Sequence, residues 1–410
     1  MCVLAAHTSL RHRVRVENAL ATERQFTNDL QDVHRPTLIR KIRNIVKDGA
    51  TWTGCCLHAL YYTKFKTRPW RICYNFGMAS KRQVFLNCNE NGVVPVSVAV
   101  YSLLNSADPT RPLTVFLAHN SAFERVGGCE TVRRVVVRFP FADIRFANFD
   151  PILEQHRETL TAPEMKWPLM VWAWCFCTEL FPDVTGNLVF IDWDMYVLKD
   201  LEPLYALDLK TGNYVTAAVN ESRREHRPYL VAAGWSEAAG YAVNTGTQVI
   251  DTDAYRRNGI CDDILAWYAR YKDVSLCVEQ DAINAVAGER ILRLPITYNF
   301  TVGWCDRLVR TNPFRKEVRV YPVRDVFVAV ADPAILHFIG HKKPWRWNHR
   351  PFRNRYRKAM EELGLFDPEA FGETLPRRAI GIFFDVYHLL IRAYARLILA
   401  TVLRSRRQSS

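Results

Sequence analysis

The sequence lacks any Cys-x-x-Cys pair, although it carries eleven cysteines. The closest groups, Cys55 with Cys56 and Cys175 with Cys177, have neither zinc-site nor redox spacing, which excludes a structural zinc module and a thioredoxin-like centre. They read as reduced thiols of a cytoplasmic protein. No apolar run reaches the roughly 18 residues that cross a bilayer. The amino-terminal MCVLAAHTSLRHRVRV sets its apolar run ahead of its basic residues, the reverse of a secretion signal. An internal repeat is also missing. Negative charge is the minority, with 42 acidic residues against 55 Lys and Arg and a net charge of +13. That balance points to an anionic partner: nucleic acid, a phosphorylated small molecule or an anionic membrane surface. With 410 residues, 49% of them hydrophobic, the chain builds a full core and is expected to form one large domain with additions.

Four segments are expected. Residues 1–80 form a basic extension with helices around ERQFTNDLQDV and TLIRKIRNIVKDG, the second ending at a glycine stop. Residues 81–345 alternate strands and helices: RQVFLNC, the helical VVPVSVAVYSLLNS, LTVFLAHN at 113–120, GNYVTAAVN at 212–220, GTQVIDT at 246–252 and the helical CVEQDAINAVAG at 277–288. Residues 346–376 form a basic, aromatic connector. Residues 377–410 form an amphipathic helix in which Asp385, His388, Arg392 and Arg396, spaced by three, four and four, make one polar stripe on an apolar cylinder. Such a helix lies on a membrane or docks on protein.

The stretch NLVFIDWDMYVLKD, residues 187–200, carries the chemistry. Leu188, Val189, Phe190 and Ile191 read as a strand buried on both faces. Asp192 and Asp194 follow at its carboxyl end, where open α/β sheets bind ligands. In an extended segment residues i and i+2 share a side about 7 Å apart, so the two carboxylates converge while Trp193 faces away. A second segment, ADPAILHFIGHKKPW, embeds His337 among Ile335, Leu336, Phe338 and Ile339. Two carboxylates and an imidazole suit manganese or magnesium better than structural zinc. Gly340 permits close backbone approach, and Lys343 offers a point charge for phosphate. The bland alternative makes His337 a satisfied core histidine and Lys343 a solvated lysine.

The ordered series DWD at 192–194, NTG at 244–246, EQDAIN at 279–284, YN at 298–299 and HFIGHKKPW at 337–345 resembles glycosyltransferase family 8, which includes glycogenin, galactinol synthase and bacterial lipopolysaccharide glucosyl- and galactosyltransferases. The likeness spans about residues 82–345. It implies an α/β, Rossmann-like nucleotide-diphospho-sugar transferase fold, a mixed central sheet flanked by helices. It also implies a metal-dependent retaining hexosyltransferase using a UDP-sugar, such as UDP-glucose or UDP-galactose, and Mn²⁺ or Mg²⁺. By that resemblance Asp192, Asp194 and His337 hold the metal, Gly340 and Lys343 touch the diphosphate, and Asn244, Gln280 and Asp281 are the catalytic candidates, Gln280 lying near the anomeric carbon. Asn89, Asn91 and Trp193 complete the nucleotide contacts.

Three positions depart from the family pattern. Asn89, Glu90, Asn91 and Gly92 stand where an aspartate and a tyrosine hold uridine. Trp174 replaces an expected arginine, and Glu279 an aspartate. Asn89 and Trp174 motivate an alternative, a degenerate member that binds nucleotide without turnover. The expected partners are a nucleotide-sugar donor, a glycan or glycolipid acceptor such as lipopolysaccharide, and an anionic membrane reached through the C-terminal helix. The basic-aromatic stretch KKPWRWNHRPFRNRYRK raises nucleic acid as a further partner, but it begins inside the phosphate loop and runs into the amphipathic helix, so nucleic acid is not expected.

Overall fold

The computed structural model describes residues 81–161, 168–221, 231, 235, 241–305, 320–347 and 350–408, without the side chains of 401–408. The chain divides between Lys66 and Thr67, and everything described belongs to the second unit, Thr67–Ser410. The helices expected within residues 1–80 lie outside the described residues.

Strand β1 (Gln83–Cys88) leads through helix α1 (Val93–Ser106) to β2 (Leu113–His119), the βαβ opening expected. Helix α2 (Gly128–Val136) and β3 (Ala142–Asn148) follow. A 3₁₀ helix, Leu169–Phe176, precedes β4 (Asn187–Ile191), and a short turn leads to β5 (Met195–Val197). Then come β6 (Thr216–Asn220), β7 (Val243–Asp251), α3 (Ile260–Tyr271), α4 (Val278–Ala287), β8 (Ile291–Leu294) and β9 (Phe300–Thr301). Helix α5 (Val323–Ala331), β10 (Ile335–His337), α6 (Arg353–Glu362) and α7 (Leu375–Gln408) complete the chain.

Seven strands form one mixed sheet in the order β3-β2-β1-β4-β7-β6-β8. The first four are parallel, β7 runs antiparallel to both β4 and β6, and β8 is parallel to β6. Both faces are covered, as the apolar strands require. Val84, Leu86, Val189 and Ile191 enter one core with α1 and α5, whereas Phe85, Leu188 and Phe190 enter the other with the 3₁₀ helix. Because β1 lies between β2 and β4, the chain switches direction across the sheet there. The carboxyl ends of β1 and β4 therefore open a crevice of the kind that binds ligands in such folds.

A three-stranded sheet, β5-β10-β9, sits beyond that crevice. In it His337 pairs with Met195 on one side and Thr301 on the other. This pairing carries the histidine to the aspartate turn. In β7 the register against β6 jumps from Ala218↔Gln248 to Val219↔Asn244, a bulge that throws Thr245 to Thr247 toward the same crevice.

Some expected boundaries move. The strand expected at 212–220 begins at Thr216, because Asn213 turns the chain at φ 53°. The one expected at 246–252 starts earlier, at Val243, and stops where Asp251 caps the next helix by accepting from Asp253 and Ala254 N–H. In the 346–376 connector, α6 buries Arg353, Tyr356, Ala359 and Met360, so the basic-aromatic stretch is anchored by Arg353 and Tyr356 while Lys342, Arg346, Arg355 and Lys358 stay exposed. Arg353 meets Asp385, and Arg357 meets Glu361 and Glu373.

Helix α7 turns Asp385, His388 and Arg392 of its polar stripe inward, while Arg396 is exposed. Asp385 accepts from Asn354 and Arg353, His388 is 4% exposed, and the Arg392 guanidinium lies 4.8 Å over the Phe352 ring. Gly381 seats the helix, since a Cβ there would lie 2.3 Å from the Arg353 guanidinium. Ile391 and Ala395 are buried on the same face, while Ile382, Phe383, Val386, Leu389, Leu390 and Leu397 stand in solvent. Among the described residues no helix is long and apolar enough to cross a membrane.

Phe190, buried at the end of β4, touches Phe85 and Trp174 with centroids 6.0 and 6.2 Å away. Phe190→Ala is expected to cost about 3–5 kcal/mol, measured as a lowered denaturant midpoint at unchanged slope.

Candidate metal and nucleotide site

Strand β4 stops at Ile191, and Asp192 to Asp194 form a turn in which Met195 N–H donates to the Asp192 carbonyl at 3.2 Å. The extended geometry expected for the two aspartates is therefore replaced by a turn, and it is the turn that aims both carboxylates one way. Its ends are pinned: Asp192 N–H donates to the Gly246 carbonyl at 2.9 Å, and Phe338 N–H to the Asp194 carbonyl at 3.1 Å. His337 Nε2 lies 3.4 Å from Asp194 Oδ1 and 3.8 Å from Asp192 Oδ2. One ligand atom from each of the three residues falls within 4.8 Å of the others. Gly246 forms the floor, because a Cβ there would stand 2.6 Å from His337 Cε1 and 2.9 Å from Asp192 Oδ2. The donor set and this glycine cradle fit a hard divalent cation.

The electrostatics show a site short of positive charge. Burial and the facing Asp194 carboxylate push Asp192 up to about 6. Burial would raise Asp194 too, but His337 and Lys343 outweigh it and hold that carboxyl below the usual range. Burial opposes charge on His337, yet Asp194 and Asp192 raise its imidazole above the ordinary value. Lys343 Nζ donates to Asp194 Oδ2 at 2.5 Å and to the Phe338 carbonyl at 3.0 Å. Gly340, at φ 87°, makes the turn that returns Lys343 to the site.

A ladder of amides links this triad to Gln280. Gly246 N–H can only donate, so the Asn244 atom it meets at 3.0 Å is Oδ1. Asn244 Nδ2 then donates to Glu221 Oε2 at 3.0 Å and to Gln280 Oε1 at 3.2 Å. Thr245 N–H also donates to Gln280 Oε1 at 3.2 Å. Asn299 Nδ2 donates to Asn244 Oδ1 at 2.7 Å, and Asn299 Oδ1 lies 2.8 Å from His337 Nδ1. Asn284 ties α4 to β7: its Nδ2 donates to the Val243 and Gln280 carbonyls, and its Oδ1 accepts from Val243 N–H.

Of the expected catalytic residues, Asn244 and Gln280 meet in this ladder, but Asp281 serves the loop before α4. Its Oδ2 accepts from Ser275 Oγ, Leu276 N–H and Cys277 N–H at 2.8, 2.9 and 2.7 Å. That clamp holds Val278 at φ 38°, a costly conformation for a β-branched residue. Glu279 is 9% exposed, and burial drives its carboxyl well above the usual range. Trp174 is a core residue against Phe190, so its indole fills the interior. At the end of β1, Asn89 Oδ1 accepts from Asn91 N–H at 3.1 Å, and Trp193 presses on Gly92, whose Cβ would lie 2.1 Å from the indole. No sequence motif marks Glu221, and the Tyr-Asn pair at 298–299 does not by itself show that Asn299 meets Asn244 and His337.

The model of the family described as Glycosyl transferase family 8 matches residues 83–349. The chain belongs to that family. General stress protein A of Bacillus subtilis (strain 168) is 27% identical over 173 residues, 42% of this chain and 57% of that protein. A probable glycosyl transferase Gly of Streptococcus gordonii is 23% identical over 159 residues, 38% of this chain and 19% of that protein. This chain thus matches less than two thirds of either curated relative. Among solved structures, the galactosyltransferase LgtC in complex with donor and acceptor sugar analogues gives a TM-score of 0.55 at 21% identity, over 71% of this chain and 99% of that one. The apo bifunctional glycosyltransferase WbbM gives 0.53 at 16%, over 71% and 52%. Both likenesses are of fold, and they agree with the expected mixed sheet flanked by helices.

Two substitutions separate site from scaffold. Gly246→Ala is expected to abolish divalent-metal uptake, read by calorimetric titration, while the circular dichroism spectrum is kept. Asp281→Ala, which strips three donors of their acceptor, should lower stability by about 1–3 kcal/mol in denaturant unfolding.

Proposed function

We propose that this chain is a retaining hexosyltransferase that moves a sugar from a nucleotide sugar, UDP-glucose or UDP-galactose, to a glycan or glycolipid acceptor such as lipopolysaccharide. The observation that carries the proposal is the convergence of Asp192, Asp194 and His337 at the switch point of the sheet, with Lys343 and Gln280 beside them. Those three residues would hold Mn²⁺ or Mg²⁺. A bound dication supplies neutralisation of the charge that grows on a departing diphosphate. Lys343 adds a point charge on the same side, and the turn at Gly340 lets the backbone approach the phosphates. Asn89 and Asn91 at the end of β1, with Trp193 after β4, are assigned to the nucleoside.

The ladder bears on the reaction course. Gln280 Oε1 is already engaged by Asn244 Nδ2 and Thr245 N–H, which leaves its NH₂ as the end free to face the sugar. An amide presented that way stabilises charge by donating hydrogen bonds and is a poor nucleophile. This supports attack by the acceptor on the same face from which the diphosphate departs. The alternative, nucleotide binding without turnover, rests on Asn89 and on Trp174, whose buried indole brings no charge where an arginine is expected.

The test is release of nucleoside diphosphate from a panel of nucleotide sugars. Wild type is expected to release UDP, and Asp194→Ala to fall to background. Tight nucleotide binding with no release from any donor would favour the binding-protein reading.

The outward apolar face of α7 supports the membrane as acceptor surface. Arg377 and Arg378 begin this helix beside Phe383 and Leu390, an arrangement suited to an anionic bilayer. The further arginines at 404, 406 and 407 have side chains outside the described residues. The combined Phe383→Ser, Leu390→Ser and Leu397→Ser variant is expected to lose flotation with anionic liposomes while keeping UDP release; equal flotation would refute the membrane reading.

A further inference from the structure

The Asn299 side chain meets both His337 and Asn244, the amide next to Gln280. Its orientation follows from a chain of obligate donors. Gly246 N–H fixes Asn244 Oδ1, and Asn244 Oδ1 therefore faces the NH₂ of Asn299. The other end of Asn299, an oxygen that can only accept, is left against His337 Nδ1 at 2.8 Å. His337 must then carry hydrogen on Nδ1, so Nε2, which lies between Asp192 and Asp194, is the nitrogen that either bears the imidazolium's second proton or, when that proton is absent, offers its lone pair to a cation.

We propose that Asn299 is a positioning residue that sets the tautomer making His337 Nε2 a metal ligand and braces Asn244, the amide that Gly246 N–H orients against Gln280. The proposal rests on reading Asp192, Asp194 and His337 as the metal site. Partners that orient a ligating histidine typically govern metal affinity by about 10–100-fold. The same amide cannot be flipped to relieve one contact without opposing the other, because Asn299 would then set a nitrogen against the donor His337 Nδ1–H and an oxygen against Asn244 Oδ1.

The experiment compares wild type, Asn299→Leu and Asn299→Asp by calorimetric titration with Mn²⁺ alone, by UDP release from UDP-glucose and UDP-galactose, and by histidine ¹⁵N NMR of the metal-free protein at alkaline pH. His337 is assigned by its loss in His337→Ala. Wild type should show the Nδ1–H tautomer. Asn299→Leu should bind Mn²⁺ about 10–100-fold more weakly. Asn299→Asp keeps an acceptor for His337 but sets an oxygen against Asn244 Oδ1, so it should keep near wild-type Mn²⁺ affinity and lose UDP release. A merely structural amide would not split the two readouts. The proposal is overturned by an Nε2–H tautomer in wild type, by wild-type Mn²⁺ affinity in Asn299→Leu, or by Asn299→Asp losing Mn²⁺ as fully as the leucine variant. Should Asn299→Leu fail to fold, the nearly isosteric aspartate variant and the wild-type spectrum still decide. Absence of Mn²⁺ uptake by wild type would instead overturn the metal-site reading, and the tautomer would then test Asn299 on its own.

Discussion

Two carboxylates and an imidazole nitrogen, drawn within 4.8 Å of one another at the end of a buried strand, are the constraint on which the rest of this structure turns. Like charges that close raise each other's protonation, and a partly buried site gives little help from water. Lys343 supplies positive charge, bonded to Asp194 and acting on Asp192 as well. The arrangement suits a divalent cation. The surrounding backbone exists to hold it: a turn after β4, a bulge in β7 that places Gly246 beneath, and a second small sheet that delivers His337.

The same economy runs outward from the triad. Each amide in the sequence Gln280, Asn244, Asn299 has its orientation set by a main-chain N–H or by its neighbour, so no member can turn alone. Such a network is costly if half satisfied and rigid when complete. It gives Gln280 and His337 a common frame. Asp281, by contrast, secures the loop ahead of α4 and sustains the strained Val278.

Helix α7 illustrates how an amphipathic pattern leaves its direction open. Its polar stripe suits either water or a polar partner. Here Arg353, Asn354 and Phe352 supply partners for Asp385 and Arg392, and the stripe docks while the leucines and phenylalanines face out. Ile382, Phe383, Val386, Leu389, Leu390 and Leu397 thus give the helix an outward apolar face.

Sequence alone determined the strands that are apolar on both faces, since residues like Val84, Phe85, Val189 and Phe190 have nowhere else to go than between two layers of helices. It also marked Asp192, Asp194 and His337, because carboxylates and an imidazole are unusual next to such strands, whereas Gln280 was picked out only by the family resemblance. It did not reveal β3 and β8, whose apolar runs are broken by Asp143, Arg145 and Arg293 and which form only by pairing with neighbours. Nor could it separate Gln280 from Asp281 in role. That choice was made by tertiary structure, because adjacent residues on a helix point about 100° apart, and only the position of β7 decides which one faces the crevice.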